Sequence, residues 1–545
     1  MKTSIYTSVS ALALMFAAPA MAQSISDINQ LGNGNGATVA QVGSNTSDID
    51  QDGNGNVASV GQTGSGNVST IDQDSLGAGA FVTQTGSGNK STITQVDAST
   101  NNSINLPEDP ESTVSQNGTD NESIVNQNAV APGFNLVGNV TQTGADNFSN
   151  IDQDAMGPGF TGSIRTNVTQ TGDADSNIVQ VAQNPGARNI FATVNQNSSW
   201  SDIQQTASGA NAIGLTANVT QLSGSTSDIS QTASGDDSGD LFASVNQRNG
   251  ATSNITQTAA GEASVTQDAI VTQNGASTSN ITQTFNNDGS NNFLAIVNQN
   301  GEGNLSNITQ RDQGFGTIGN ADGGLIANVN QVGDDNTSNL VQENKSANAD
   351  IDQTGNGNGS DAFQGTAGQR LIVLQSGNIN SSVSTQTGLN NSADILQAGT
   401  GTKSVVTQTG RNDLAFVDQL VGSDGSTSTI VQTGAGGQRS ENVADVTQSG
   451  FDNTSFVSQD GFNSTALANQ SGAGNTSNII QTGTVDGFGN FASATQSGDG
   501  NLSDITQNGS LNSATVTQSS NGNVSDIMQT GNNNTAVVTQ GSVIN

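Results

Sequence analysis

Glutamine recurs about every eleven residues along almost the whole chain, and this period limits what the chain can become. The series runs Gln30, Gln41, Gln51, Gln62, Gln73 and closes with Gln507, Gln518, Gln529 and Gln540. Two residues before nearly every Gln stands a Val or Ile: Ile28, Val39, Ile49, Val60, Ile71, Val82, and at the far end Ile527 and Val538. Four before stands a small residue that alternates, Ser26, Ala37, Ser47, Ala58, Ser69, Ala80. Six before is often Asn, as at Asn35, Asn56, Asn67, Asn512, Asn523 and Asn534. A spacing of two is the strand period, so these side chains share one face. The Ser/Ala alternation makes the true repeat about 22 residues, holding two unlike strands. A repeat this short cannot bury its own core, whereas stacked copies can.

The expected fold is therefore all-β, a β-solenoid of about twenty coils with two strands each, forming a rod near 95 Å long. Inside, the Val/Ile rows meet as a thin apolar seam. Gln and Asn rows lie at its margins, where each amide bonds its equivalent one coil away. Thr, Asp, Ser and Asn face outward. Aromatics at 3% and charged residues at 10% leave little for an ordinary core or an ordinary charged surface. The fixed phase of the Val/Ile positions argues against the disorder such a composition usually brings.

Residues 1–22 read as a secretory signal: Lys2, an apolar stretch from Ala11 to Ala18, and a small-x-small site at Ala20-Met21-Ala22. The mature chain, 23–545, is then one solenoid with loop insertions, exported by a bacterial-type route through the periplasm to the cell surface or beyond. No other apolar run approaches the ~20 residues of a spanning helix, so no membrane insertion is expected. A net charge of −35 with Lys plus Arg at 11 disfavours nucleic acid and anionic lipid. With neither Cys nor His, thiol, Ser-His and most zinc chemistry is excluded, and no cofactor, metal site or catalytic residue is expected.

Insertions gather before the Ala-type strand, at Ala131 to Phe134, Met156 to Arg165, Ser234 to Leu241, Asn286 to Leu294, Gly314 to Leu325 and Asp361 to Arg370. The turns into the Ser-type strand stay short, so one edge of the rod should be smooth and the other looped. Pro107, Pro110, Pro132, Pro158 and Pro185 all fall between units, as a ladder requires. Asp97 to Glu111 and Asp361 to Leu374 read as bulged loops. A solenoid with no cap offers an unpaired edge at each end, and head-to-tail stacking without closure makes a filament.

Ser24-x5-Gln30-x4-Asn35-x5-Gln41 resembles the repeat of curlins, the subunits of bacterial curli fibres. The pattern continues through Gln51, Asn56, Gln62, Asn67 and Gln73, and returns from Asn501 to Gln540. Gly32, Gly43, Gly64 and Gly86, each two residues after a Gln, also fit. The resemblance implies a secreted, amyloid-like fibre subunit of the biofilm matrix, used in adhesion. Its partners would be itself, other curli-type subunits and an export machinery. Curlins carry a handful of repeats and a Gly-rich segment before the first; here the repeats are several times more numerous and begin at Ser24.

Three other readings compete. Outward acids such as Asp27, Asp48, Asp50, Asp72, Asp202, Asp228, Asp504 and Asp526 suggest calcium, but no G-G-x-G-x-D pattern recurs, and a solvated face opposing sideways aggregation explains them better. Pairs such as Thr83/Thr85, Thr141/Thr143, Thr169/Thr171, Thr256/Thr258 and Thr407/Thr409 resemble the rows of flat ice-binding solenoids, but Asp72/Asp74 and Asn126/Asn128 interrupt them. Ordinary β-propensity covers them too. The alternative to a fibre subunit is thus a non-polymerising solenoid, either an adhesin or an ice-binding protein. Paired acids such as Asp236-Asp237 sit between units, where solvated charge accounts for them without catalysis.

Overall fold

The computed structural model describes residues 23–97, 110–130, 134–156, 162–184, 186–261, 265–286, 291–312, 324–343, 346–434, 440–483 and 488–541. The expected secretory signal, the middle of the Asp97–Glu111 segment and four of the five mature prolines lie outside these residues. Pro110 is described; it precedes β6 (Glu111–Thr119), where its carbonyl accepts from Gly79 N.

Forty strands, β1 to β40 in chain order, make up the described residues together with turns, and no helix occurs among them. All pairings are parallel, and beyond the first coils each strand pairs with the strand two places on. This is a parallel β-solenoid. Two strands to a coil approximate the expected count without matching it strictly, because β2 (Gly36–Asn54) and β3 (Val57–Leu76) each run unbroken through both legs of a coil. The cause is local: where the turn is only Val42 to Asn45 or Thr63 to Asn67, neighbouring turns pair as well, Gly43 with Gly64 and Ser44 with Ser65.

Register is set residue for residue. Ile28 pairs with Ile49 and Gln30 with Gln51; Val39 pairs with Val60 and Gln41 with Gln62. Identical residues therefore stack, and burial alternates along each strand as the period-two reading requires, for example in β5 (Lys90–Asp97) and β38 (Ser513–Gln518). Ile49, Val60, Ile71 and Val82 lie in one buried apolar seam that continues to Ile527. At ~25 cal/mol per Å², burying each such side chain stabilises the rod by about 1.5–3 kcal/mol.

Two features correct the sequence reading. First, the inserted segments are only partly loops. In the middle of the rod they lengthen the Ala-type strands to ten residues, as in β10 (Gly162–Thr171) and β16 (Gly239–Arg248). There the position six before Gln carries Leu136, Ile164, Ile190, Leu215 and Leu241 instead of Asn, and these pack against Ala155, Ala182, Ala207 and Ala233 in a second apolar cluster. A third cluster continues with Phe285, Phe293 and Leu325, the two rings meeting edge-on at 6.2 Å. The coil is widened, and apolar packing replaces an amide. Second, Asp361 to Leu374 is no bulged loop. It holds β25 (Gly359–Gln364) and β26 (Arg370–Gln375), both in register with their neighbours.

Turn lengths differ between the two edges in the early coils but not throughout, since the connections on either side of β26 are both five residues long. β4 (Gly79–Ser87) ends two residues before β5, whereas β5 and β6 lie thirteen residues apart, as the strand bounds give directly.

Close stacking of the turns makes one glycine column sterically obligatory. Gly43, Gly64, Gly86 and Gly118 all have φ between +99° and +140°. A Cβ on Gly64 would stand 1.8 Å from the carbonyl oxygen of Gly86. The obstacle is backbone of the next coil and cannot swing aside. Gly64→Ala is therefore expected to cost about 2 kcal/mol or more. By contrast a Cβ on Gly66, at φ +71°, would come no nearer than 3.8 Å to Gly88 N, an ordinary contact, and its column continues into Asp120 and Asp146 at φ 55° and 58°. Gly66→Asn should change stability by less than about 0.5 kcal/mol. Urea unfolding of the two variants checks the contrast; equal losses would mean that the coil spacing does not set the glycine requirement.

Candidate functional site

The stacked coils bring the glutamines into two unbroken ladders. On the Ser-type legs Nε2 of each Gln donates to Oε1 of the next from Gln30 through Gln51 and Gln73 to Gln507 and Gln529, without a missing rung. On the Ala-type legs the same holds from Gln41 through Gln62 to Gln518 and Gln540. The second hydrogen of Nε2 crosses to the other leg: Gln62 donates to the carbonyl of Thr46 at 3.0 Å, and Gln84 to that of Val68 at 3.0 Å. Most of the glutamines thus join adjacent coils and also the two legs of the coil, although Gln196, Gln221 and Gln247 make the ladder bond alone. Sequence reasoning gave the first link and missed the second.

The asparagines behave differently. Asn67 Nδ2 donates to Asn45 Oδ1 at 3.0 Å, and Asn89 to Asn67 at 2.9 Å. At the far end Asn523 donates to Asn501 and Asn534 to Asn512, at 3.0 and 2.9 Å. Their sense opposes that of the glutamines, the later coil donating to the earlier. The Asn amides also hold turns: Asn35 Nδ2 reaches the carbonyls of Leu31 and Gly53, both at 3.1 Å, and Asn56 reaches Ser75 O at 2.9 Å. Among the described residues the column Asn45 to Asn147 is followed by Ala174, Ser199, Ser225, Ala251 and Ser277 before Asn304, so the Asn ladder is interrupted where the Gln ladders are not.

The ends of the rod are half-paired. Among the described residues β1 (Ile25–Leu31) pairs only with β2, β39 (Val524–Thr530) only with β37 (Leu502–Asn508), and β40 (Thr535–Gln540) only with β38. Ile28 in the seam is consequently 41% exposed, and Val39 and Val538 are only partly buried. The ends match in sequence. β1 carries Ser26, Asp27, Ile28 and Gln30 where β39 carries Ser525, Asp526, Ile527 and Gln529. Ala37, Val39 and Gln41 answer Ala536, Val538 and Gln540.

On the outer faces, desolvation and neighbouring acids raise several carboxyls above the ordinary range. Burial and then Asp50, Asp74 and Asp48 raise Asp72; burial and then Asp202 raise Asp228. A carboxyl raised in the folded chain takes up its proton before the unfolded chain does. Stability therefore rises as pH falls through the raised value to the ordinary one near 3.8, and is flat below it. Among the described residues no three acids are grouped so as to hold a metal ion, and no helix is long and apolar enough to cross a membrane. The threonine pairs do not form one surface. Thr83/Thr85, Thr141/Thr143 and Thr169/Thr171 lie on Ala-type strands, but Thr256/Thr258 and Thr407 lie on Ser-type strands, with Thr409 one residue past its strand, and these belong to the other leg of the coil.

A family model described as the curlin associated repeat matches residues 44–74, 440–472 and 509–541. No curated protein matches the chain. The matched stretches fall near the first coils, late in the rod and on its last coils, each where a Gln ladder and the Val/Ile seam run together. At these three places the chain is similar to the curlin associated repeat.

Proposed function

We propose that the chain is a secreted structural protein, a curlin-like subunit whose copies add end to end into an extracellular fibre of the biofilm matrix, used in adhesion. The observation that carries this reading is the pair of matched, half-paired end coils. Gln529 and Gln540 each give one Nε2 hydrogen to a backbone carbonyl, of Ser513 and Val524, and keep the hydrogen that makes the ladder rung in earlier coils, while Gln30 and Gln41 offer Oε1 acceptors at the other end. A second copy stacked in register continues both ladders and covers the half-exposed seam. Like ends cannot do this, since they would set acceptor against acceptor or donor against donor. Residues 1–22 support the proposed export, and other curli-type subunits and an export machinery are proposed partners.

The test is electron microscopy with a seeded thioflavin-T time course on purified residues 23–545. Long fibres that shorten the lag when added as seeds are the expected result. Stable single rods with no growth over days would reject the fibre reading and favour a finished solenoid acting through its faces.

A further inference from the structure

We propose that the joint between two copies is an acid gate, because stacking one copy on the next assembles a column of four aspartates that occurs nowhere within the described chain. The inference rests on the end-to-end reading above. Asp27 stacks on Asp48 at one end of the rod, and Asp504 on Asp526 at the other. With Gln529 over the partner's Gln30, Asp526 falls over the partner's Asp27. The column then reads Asp504, Asp526, the partner's Asp27, the partner's Asp48, at about 4.8 Å per step.

Within the chain every run of aspartate in this outward column stops at two or fewer. Asp48 is followed by Thr70. Asp202 and Asp228 are enclosed by Asn177 and Asn254. Asp361 lies between Asn339 and Val383, and Asp504 is preceded by Asn478. Neutral residues also answer the charge where a run begins: Asn177 Nδ2 donates to Asp202 Oδ1 at 3.1 Å. The joint alone sets one pair directly on another.

The surroundings add charge of the same sign. Beside the column on the same outward face are Asp50 and Asp52 of β2 and Asp72 and Asp74 of β3; β1, β2, β3, β37 and β39 contain neither Lys nor Arg. On its own strand Asp526 has Val524 and Met528 as outward neighbours, Asp27 has Ile25 and Asn29, and Asp504 has Leu502 and Thr506. Asn29 Nδ2 donates to Asp50 Oδ1 and does not serve Asp27. The pair at Asp202 and Asp228 illustrates the coupling at this spacing, since Asp202 contributes to raising Asp228 after burial does.

At neutral pH the incoming end therefore meets like charge, and protonation removes it. Salt acts in the same direction, since the screening length falls from about 10 Å at 0.1 M to about 3 Å at 1 M.

Seeded elongation of the full mature chain at low ionic strength, from pH 4 to pH 8, tests the gate. Wild-type elongation should be about fourfold faster at pH 4 than at pH 7, the size expected when one like-charge contact near 5 Å is lost in water. Asp526→Asn and Asp27→Asn should each accelerate elongation at pH 7 about fourfold and flatten its pH dependence. Asp202→Asn makes the same change in net charge in mid-rod and should leave both unchanged. Fibres that elongate equally at every pH, or an Asp202→Asn chain that accelerates as much as Asp526→Asn, would overturn the gate while leaving end-to-end growth intact. An absence of fibres at every pH would overturn the end-to-end reading, and the gate with it.

Discussion

A Gln257→Ala chain is expected to lose about 3–5 kcal/mol of local stability in the middle coils. Gln257 Nε2 donates to Gln283 Oε1 at 2.8 Å, to Phe242 O at 3.0 Å and to Gln267 O at 2.7 Å, and its Oε1 accepts from Gln231 at 2.7 Å. Truncation leaves these buried partners unsatisfied, and the coil above and the coil below cannot close over the gap, because each is pinned by its own rung. In a solenoid each coil touches only its neighbours, so the damage should stay within a few coils. Hydrogen exchange is the direct measurement. Amides of β15 (Thr226–Ala233), β17 (Thr252–Ala259) and β19 (Thr278–Phe285) should exchange faster, while those of β37 to β40 keep their protection. Thr256→Ala, one residue away but outward-facing, should shift exchange by no more than about 0.5 kcal/mol. If both variants behave alike, the ladder does not hold the coils together.

That asymmetry between neighbours was legible in the sequence, because a strand alternates faces and the Gln, Val/Ile and Ser/Ala positions are all two apart. What stayed hidden depended on volume and direction. Leu136, Ile164, Leu241 and Phe293 stand six before Gln, a position read as an amide site, in segments whose Gly, Pro and Asp content resembled loops. Only the widened coil makes them core. At Asp361 to Leu374 the pattern holds but its sizes are exchanged. Leu371 stands where Ala is usual and Ala362 where Ile or Val is usual, and both are buried in the same seam, so a large and a small residue trade places within one coil. The opposite senses of the Gln and Asn ladders were not readable at all, since a row of identical amides does not say which coil donates. The alternation of Ser with Ala was plain, yet little in the structure explains the hydroxyl: apart from Ser149 and Ser176, which bond each other, the buried serines of this row from Ser47 to Ser525 hold Oγ without a partner. Where the Ala-type row carries a hydroxyl instead, the reason is visible, since Ser112 and Thr166 donate to Gln127 and Gln180 Oε1 at 2.9 and 2.7 Å.

Charge placed in the terminal seam should separate folding from assembly more sharply than any change in mid-rod. Ile28→Lys and Val538→Lys alter side chains that no further described coil covers, so in the monomer the ammonium reaches water and the fold should lose less than about 1 kcal/mol. In a joint the same ammonium would be enclosed between two coils beside the partner's seam. An unpaired buried charge costs several kcal/mol, which corresponds to at least a hundredfold slower addition. The two variants should also differ by end. An Ile28→Lys copy keeps its β39–β40 face, so it adds once to the β1 end of a wild-type fibre and then presents a blocked face. Val538→Lys does the same at the opposite end. Each alone, at low ratio to wild type, should stop growth at one end only, and the two together should stop both; single-fibre microscopy of labelled seeds reads this directly. Ile229→Lys, which puts the charge in a fully buried seam position, should instead unfold the middle coils of the isolated chain. If fibres of both terminal variants lengthen at the wild-type rate from both ends, growth does not proceed through the stacked end coils, whatever else the ladders stabilise.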